Sequence, residues 1–383
     1  MAKTTDSLAT RLSVPSRLIF FIVLQFLFSL LLPYPLVALG KSEETVQKLS
    51  GSYSVVGKTT IRAGFSFPPF ANERQRAFTF EKMEELSIDR LRIAIDWRDR
   101  EPEQGSFFWE PMDKRMQAAK DHNIKVFLTI ASVGPPWAVG KQPNLFNEDA
   151  LATFFTEILT RYDSIHMIQF GNEWEAGSDG YTDWPSIQKF VHYTNMLYDE
   201  VQRLCPQTKV VLGGITRLYP IHELRMQNAF TLDLSQLQLT KHWSQEKLLQ
   251  RIERDEEEYK ALNIKAHAEY VFEHANYDVL DIHLYDDGEN WEAYLSIVPK
   301  EVPIVVSEFG GPSSEFERTD PSYHATRMEA YLDAIEKLPI TEAYYFKLVD
   351  SPESYHKHSG LYTKRLKRKP AYTVFKERLS PRT

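Results

Sequence analysis

Eight short, nearly unbroken apolar runs, separated by stretches with helical spacing, constrain the fold of this chain more than any other feature. The runs are Thr59–Phe67, Arg90–Trp97, Ile124–Ala131, His166–Gly171, Lys209–Ile215, Val279–Tyr285, Val302–Phe309 and Ala343–Leu348. A strand that is apolar along its whole length has both faces covered, as in a parallel sheet under helices. The intervening segments supply those helices. Pro111–Asp121 starts at a proline suited to a first turn. Asn147–Tyr162 opens on Asn-Glu-Asp, a capping sequence. Trp184–Leu204 and Tyr323–Leu338 repeat the helical spacing. Strand and helix alternating eight times predict an α/β fold, a (β/α)8 TIM barrel, over residues 59–383.

Residues 216–275 are too long for a simple connection. Within them Lys241–Leu262 is highly charged and helix-prone, so a helical insertion with a solvated face is expected after strand five. Near the end, Lys364, Arg365, Lys367, Arg368 and Lys369 are expected in a solvated loop before a last helix, Pro370–Arg378.

The N-terminus is expected to be an export segment or an anchor, over residues 1–40. Lys3, Arg11 and Arg17 precede an uncharged run from Leu18 to Leu32, a Pro33-Tyr34-Pro35 break and the small-residue site Ala38-Leu39-Gly40. That order is a signal peptide, with cleavage before Lys41. Left uncleaved, residues 18–39 are long enough to attach the chain to a membrane. Either way the remainder works outside the cytoplasm, secreted or periplasmic or membrane-anchored. Residues 41–58 are expected to be a linker and lead-in.

Composition then excludes some functions. With 45 basic and 53 acidic residues the net charge is −8, so no nucleic-acid partner is expected. Cys205 is the single cysteine, which rules out an intrachain disulfide and a cysteine-based zinc site. No His and carboxylate cluster has ligand spacing, and no cofactor motif is present, so neither a metal nor an organic cofactor is expected. Aromatic residues make up 13% of the chain, enough to suggest a surface that stacks on sugar rings. Trp97, Trp137 and Trp174 are candidates for such stacking, with plain packing as the alternative; Trp109 reads as packing.

Two strands end in acids. The fourth runs into Gly171-Asn172-Glu173-Trp174-Glu175 and the seventh into Val306-Ser307-Glu308-Phe309-Gly310-Gly311. In a (β/α)8 barrel the site lies at the carboxyl ends of the strands, so both glutamates reach one mouth. A buried acid costs free energy unless it is paired or used. Two carboxyl groups whose pKa values are driven apart suit glycosidic cleavage, in which one protonates the leaving oxygen and the other attacks or activates water.

These motifs resemble the retaining glycoside hydrolases of clan A, over about Thr59 to Glu377. Asn172-Glu173 is similar to the clan's Asn-Glu pair, and Glu308 to its glutamate at the end of strand seven. The resemblance implies Glu173 as acid/base and Glu308 as nucleophile, with Glu175 a weaker alternative to Glu173. It implies a supporting Arg92 on strand two, and His283 and Tyr285 lining the sugar site, with the Tyr285 hydroxyl on the nucleophile. Asn172 is then expected to bond the sugar 2-hydroxyl. Trp97 followed by Glu101-Pro102-x-x-Gly105-x-Phe107-x-Trp109 resembles the clan segment after strand two. Gly360-Leu361-Tyr362 and Lys369-Pro370-Ala371-Tyr372 resemble its last turn and helix. One departure stands out: where many members place a tryptophan at the end of strand eight, this chain has Tyr344-Tyr345-Phe346-Lys347, so the sugar platform is Phe346 or missing. The implied function is hydrolysis of an oligo- or polysaccharide or glycoside, β-linked, by a monomer. A transglycosylase with the same site and a non-catalytic, membrane-tethered carbohydrate-binding barrel are the alternatives.

Overall fold

The computed structural model describes residues 62–379 apart from 141–143, 176–178, 217, 228–240, 286–287, 313–316, 353 and 355. Residues 1–40 and 41–58, with their expected signal or anchor and linker, lie outside the described residues. Among the described residues no helix is long and apolar enough to cross a membrane.

The strands β1 (Ala63–Ser66), β2 (Arg90–Ile95), β3 (Lys125–Ile130), β4 (Ile165–Phe170), β5 (Lys209–Ile215), β6 (Val279–Leu284), β7 (Ile304–Phe309) and β8 (Ile340–Tyr345) form a closed barrel. Each pairs in parallel with the next, and β8 closes on β1 through Ala343, Tyr344 and Tyr345. The expected (β/α)8 barrel is therefore the observed fold. The outer layer is α1 (Glu73–Glu85), α2 (Trp97–Arg100), α3 (Glu110–Asp121), α4 (Glu148–Arg161), α5 (Trp184–Leu204), the insertion helices, α9 (Trp291–Ile297), α10 (Pro321–Ile335) and α11 (Pro370–Leu379). Asn147 caps α4 by accepting from the Ala150 amide, and Asp183 and Ser186 form a reciprocal capping box on α5.

The eighth strand needs correction. It occupies Ile340–Tyr345, not Ala343–Leu348, so Phe346 follows the strand. Thr341 and Glu342 interrupt the apolar run in sequence. In the fold Glu342 turns into the bottom of the barrel, where it meets Arg90 at 2.9 Å and His166 at 3.0 Å.

Residues after β5 form the expected helical insertion: α6 (Leu218–Met226), α7 (Gln245–Ala261) and α8 (Ile264–His274). The charged α7 buries Leu248, Ile252, Asp255 and Tyr259, one stripe at helical spacing, and leaves its other faces to solvent. Glu223 of α6 ties the three helices together, accepting from Tyr259 at 2.9 Å and from Lys265 at 2.5 Å. In the segment before α11, Arg368 pairs with Glu85, and Lys369 is buried on Asp350.

Period-two alternation sorts the barrel interior into layers. Phe127, Met167, Val211, Val279, Val305 and Tyr344 form an apolar plug. Two residues further along the first five of these strands stand Thr129, Gln169, Gly213, Asp281 and Ser307, a largely polar layer directly beneath the mouth. Intervening residues such as Leu128, Ile168, Leu212, Leu280 and Val306 point outward into the main core.

Candidate active site

Glu308 and Glu173 reach the mouth by different local devices. On β6 and β7 the register pairs Asp281 with Val305 but His283 with Glu308, so β7 gains a residue between these pairs. Such a bulge re-aims a side chain. Here it lets Glu308 join the site although Ser307, its neighbour, already faces inward. Glu173 follows β4 after Gly171, which has φ of 75° and where a Cβ would meet Asp179 Oδ2 at 2.9 Å. Only glycine takes that turn cheaply. The turn is fixed by the Asn172 amide, which donates to Asp179 at 2.7 Å.

Both oxygens of Glu308 are held. Arg92 Nη1 donates to Oε1 at 2.6 Å, and the Tyr285 hydroxyl donates to Oε2. Arg92 is fully buried. It also donates to Asn172 Oδ1 at 2.7 Å and to Thr129 at 3.0 Å, and its guanidinium lies 4.6 Å from the Phe67 ring centre and 5.3 Å from that of Phe127. A planar cation clamped in this way positions the carboxylate it bonds. Burial, reinforced by Glu308, keeps the Tyr285 phenol protonated.

Glu173 lies in the opposite electrostatic situation. Burial pushes its pKa up and the negative Glu308 and Asp179 add to this, against the pull of His283. His283 Nδ1 is 2.7 Å from Glu173 Oε1. The space for that imidazole is made by β5: a Cβ on Gly214 would meet His283 Nε2 at 2.5 Å and the Asn172 carbonyl at 2.6 Å. One oxygen of Glu173, one nitrogen of His283 and one oxygen of Glu308 all lie within 4.8 Å of one another. The fold thus gathers three donors that no sequence spacing reveals. Arg92 on Glu308 and a cationic His283 already supply the positive charge at this cluster, so the donor set fits an ion-paired acid dyad and no metal is assigned to it.

The structure brings Arg92, Asn172, Glu173, His283, Tyr285 and Glu308 together in one cluster of hydrogen bonds and ion pairs. Phe346 stands beside it with its ring edge-on to Tyr285, at 6.1 Å, and to Phe67, at 6.5 Å. His356, which sequence reading missed, stacks on Tyr285 at 4.1 Å. Trp97 and Trp174 are corrections: neither faces the mouth. Trp97 stacks on Phe154 at 5.4 Å and donates to Glu101, while Trp174 is fully buried against Phe190 and donates to the Gly213 carbonyl. Both fill the layer between barrel and helices. Trp137 is half-buried in the segment after β3, donating to the Glu101 carbonyl. Asp281, Ser307 and Thr129 are buried polar neighbours of the site that were also missed. Counting two residues back from His283, along one strand face, finds Asp281.

Glu175 is a third buried acid, facing Thr216 at the end of β5 at 2.6 Å rather than Glu308. Its second oxygen has no hydrogen-bond partner among the described residues. Burial pushes its pKa up to about 8 from 4.5. The folded protein therefore holds a proton that the unfolded chain releases, and stability falls as pH rises between those two values. Over that window the cost is on the order of a few kcal/mol. Glu175→Gln is expected to raise the thermal midpoint near pH 8 by about 5 °C and to leave it nearly unchanged near pH 4.5. An equal shift at both pH values, followed by circular dichroism, contradicts this account of Glu175.

Fold and site together define a TIM barrel with an acid pair at the carboxyl ends of strands four and seven. Comparison with known proteins agrees with the clan A resemblance. A family model for glycoside hydrolase family 42, described as beta-galactosidase, matches residues 67–156. Among solved structures, the chain is similar to the exo-beta-1,4-mannosidase Op5Man5 from Opitutaceae bacterium strain TAV5, with 15% identity and TM-score 0.60 over 83% of this chain and 59% of that one. It is similar to a beta-galactosidase from the psychrophilic Marinomonas ef1, with 10% identity and TM-score 0.55 over 83% and 59%. It is also similar to a GH5_18 protein from Streptomyces cattleya in complex with GlcNAc, with 13% identity and TM-score 0.55 over 84% and 80%. At these identities the likeness is one of fold. The chain spans about three fifths of the length of the mannosidase and the galactosidase. No curated protein matches it in sequence.

Proposed function

We propose that this chain is a retaining glycoside hydrolase that cleaves β-linked glycosides by double displacement. The observation that carries the reading is the approach of Glu173 and Glu308, with donor oxygens within 4.8 Å. Retaining enzymes hold their carboxyl groups about 5–5.5 Å apart, whereas inverting ones leave roughly 6.5–9.5 Å for a water. The two environments support the division of roles: Glu308 sits under Arg92 and Glu173 has its pKa raised by burial.

In the first step a Glu308 oxygen forms a bond to the anomeric carbon as the bond to the leaving oxygen breaks, and Glu173 gives that oxygen its proton. In the second, the Glu173 carboxylate takes a proton from water, the water oxygen bonds the anomeric carbon and Glu308 departs as a carboxylate. In this reading Asn172, whose Oδ1 accepts from Arg92, donates to the sugar 2-hydroxyl, and Phe346, Phe67 and His356, grouped around Tyr285 and Arg92, wall the sugar. None of these steps calls for a metal or an organic cofactor.

The names of the matched family and of the similar mannosidase support a β-linked hexoside as substrate. The basic, apolar, small-residue order of residues 1–40 supports export, as a cleaved signal or as an anchor through residues 18–39. A panel of p-nitrophenyl β-D-galactoside, mannoside, glucoside and xyloside tests the activity. Release of nitrophenol from at least one is expected. Sugar binding with no release from any of them overturns the reading and favours a non-catalytic barrel.

A further inference from the structure

Beneath the acid dyad lies a fully buried carboxylate that the two-step reaction does not use. Asp281, on β6, accepts from Ser307 twice, from the amide at 2.9 Å on Oδ1 and from the hydroxyl at 2.6 Å on Oδ2. His283 Nε2 is 3.0 Å from the same Ser307 hydroxyl and 3.3 Å from Asp281 Oδ2. On the other side of the ring, Nδ1 meets Glu173. The chain Asp281, Ser307, His283, Glu173 is thus continuous.

Directions along this chain are dictated by its first member. A carboxylate only accepts, so the Ser307 hydroxyl donates its single hydrogen to Asp281. The Ser307 oxygen must then accept from His283, which requires a proton on Nε2. Nδ1 is left with two states. With a proton it donates to Glu173 Oε1, and the acid proton of Glu173 sits on Oε2. Without one it accepts from Glu173 Oε1, and the acid proton is tied up against the imidazole instead of reaching a leaving group.

We propose that Asp281, through Ser307, is a positioning residue that keeps His283 an imidazolium and so fixes which oxygen of Glu173 carries the acid proton. This rests on Glu173 being the acid/base.

The charges around the ring agree. Glu173, Glu175 and Asp179 face it from the segment after β4, Glu308 from β7 and Asp281 from its own strand, while Arg92 of β2 balances Glu308 and Asp281. On β5, Gly213 and Gly214 bring no side chain against it, and Thr216 is neutral. Burial alone would discharge His283, but Glu308, Asp281 and the bonds to Asp281 and Glu173 hold its pKa up at about 10. Asp281 itself stays ionised: burial opposes this, and the charges of His283 and Arg92 outweigh it.

The test is nitrogen NMR of ring-labelled histidine, with His283 assigned by its absence in His283→Gln. In the wild-type protein at neutral pH both ring nitrogens of His283 are expected to be protonated. In Asp281→Asn the ring is expected to be neutral under the same conditions. On the methyl glycoside of whichever sugar the enzyme cleaves, whose leaving group needs the acid proton, the basic limb of the kcat/KM profile moves up by about one pH unit or more, because Glu173 has lost an adjacent cation. Should Asp281→Asn not fold, Ser307→Ala serves, with His283 losing its proton at lower pH than in the wild type. A neutral His283 in the wild type, or an unchanged titration in a folded Asp281→Asn or in Ser307→Ala, overturns the proposal. These spectra need no turnover, so failure of the glycosidase reading shows separately, as no nitrophenol from any substrate.

Discussion

Glu308→Gln loses turnover by about 10⁴-fold or more, the scale on which removing a covalent nucleophile acts. Arg92 and Tyr285 hold different oxygens of Glu308; glutamine keeps the shape, its oxygen accepts from Arg92, and its amide nitrogen donates to the Tyr285 hydroxyl, which turns from donor to acceptor. It cannot form a glycosyl ester of the kind that water later cleaves. The expected result is a folded protein, with a far-ultraviolet dichroism spectrum like that of the wild type, that still binds the sugar and releases almost nothing. Turnover within tenfold of the wild type contradicts the assignment of Glu308.

The second large effect separates acid from nucleophile. Glu173→Gln removes the proton donor, and kcat/KM on an alkyl or sugar leaving group falls by about 10²–10⁴-fold. A nitrophenolate leaves without a proton, so its first step is nearly spared. The second step is not spared, because the same side chain must then act as base. On a nitrophenyl glycoside, Glu173→Gln is therefore expected to give a burst of nitrophenol equal to the enzyme present, followed by slow release. Equal losses on good and poor leaving groups, with no burst, contradict an acid/base role. Glu175 does not substitute for Glu173 in this scheme, since its carboxyl faces Thr216.

Much of the barrel was legible from sequence because parallel strands under helices are apolar on both faces, which leaves one-dimensional runs to read. Lys209–Ile215 coincides with β5, and Arg90–Trp97 overruns β2 by two residues only. The eighth strand misled because its first half is polar: Glu342 is buried by pairing with Arg90 and His166, partners distant in sequence. The acid pair was legible because each glutamate stands at or just beyond the carboxyl end of a strand. Its spacing was not, because a bulge between β6 and β7 sets the aim of Glu308. Aromatic residues misled for a similar reason. Trp97 and Trp174 sit in motifs next to the site, yet their indoles turn outward to Phe154 and Phe190. Sequence adjacency gives position along a strand, not the face. Parity does give the face, and it leads from His283 to Asp281 and from Val305 to Ser307.

The most direct measurement is proton NMR of the sugar released first from a hydrolysed nitrophenyl β-glycoside, read before mutarotation. Glu173 and Glu308 at this separation predict that the first product is the β-anomer, with configuration retained. An α-anomer formed first means direct attack by water, and it contradicts Glu308 as the nucleophile.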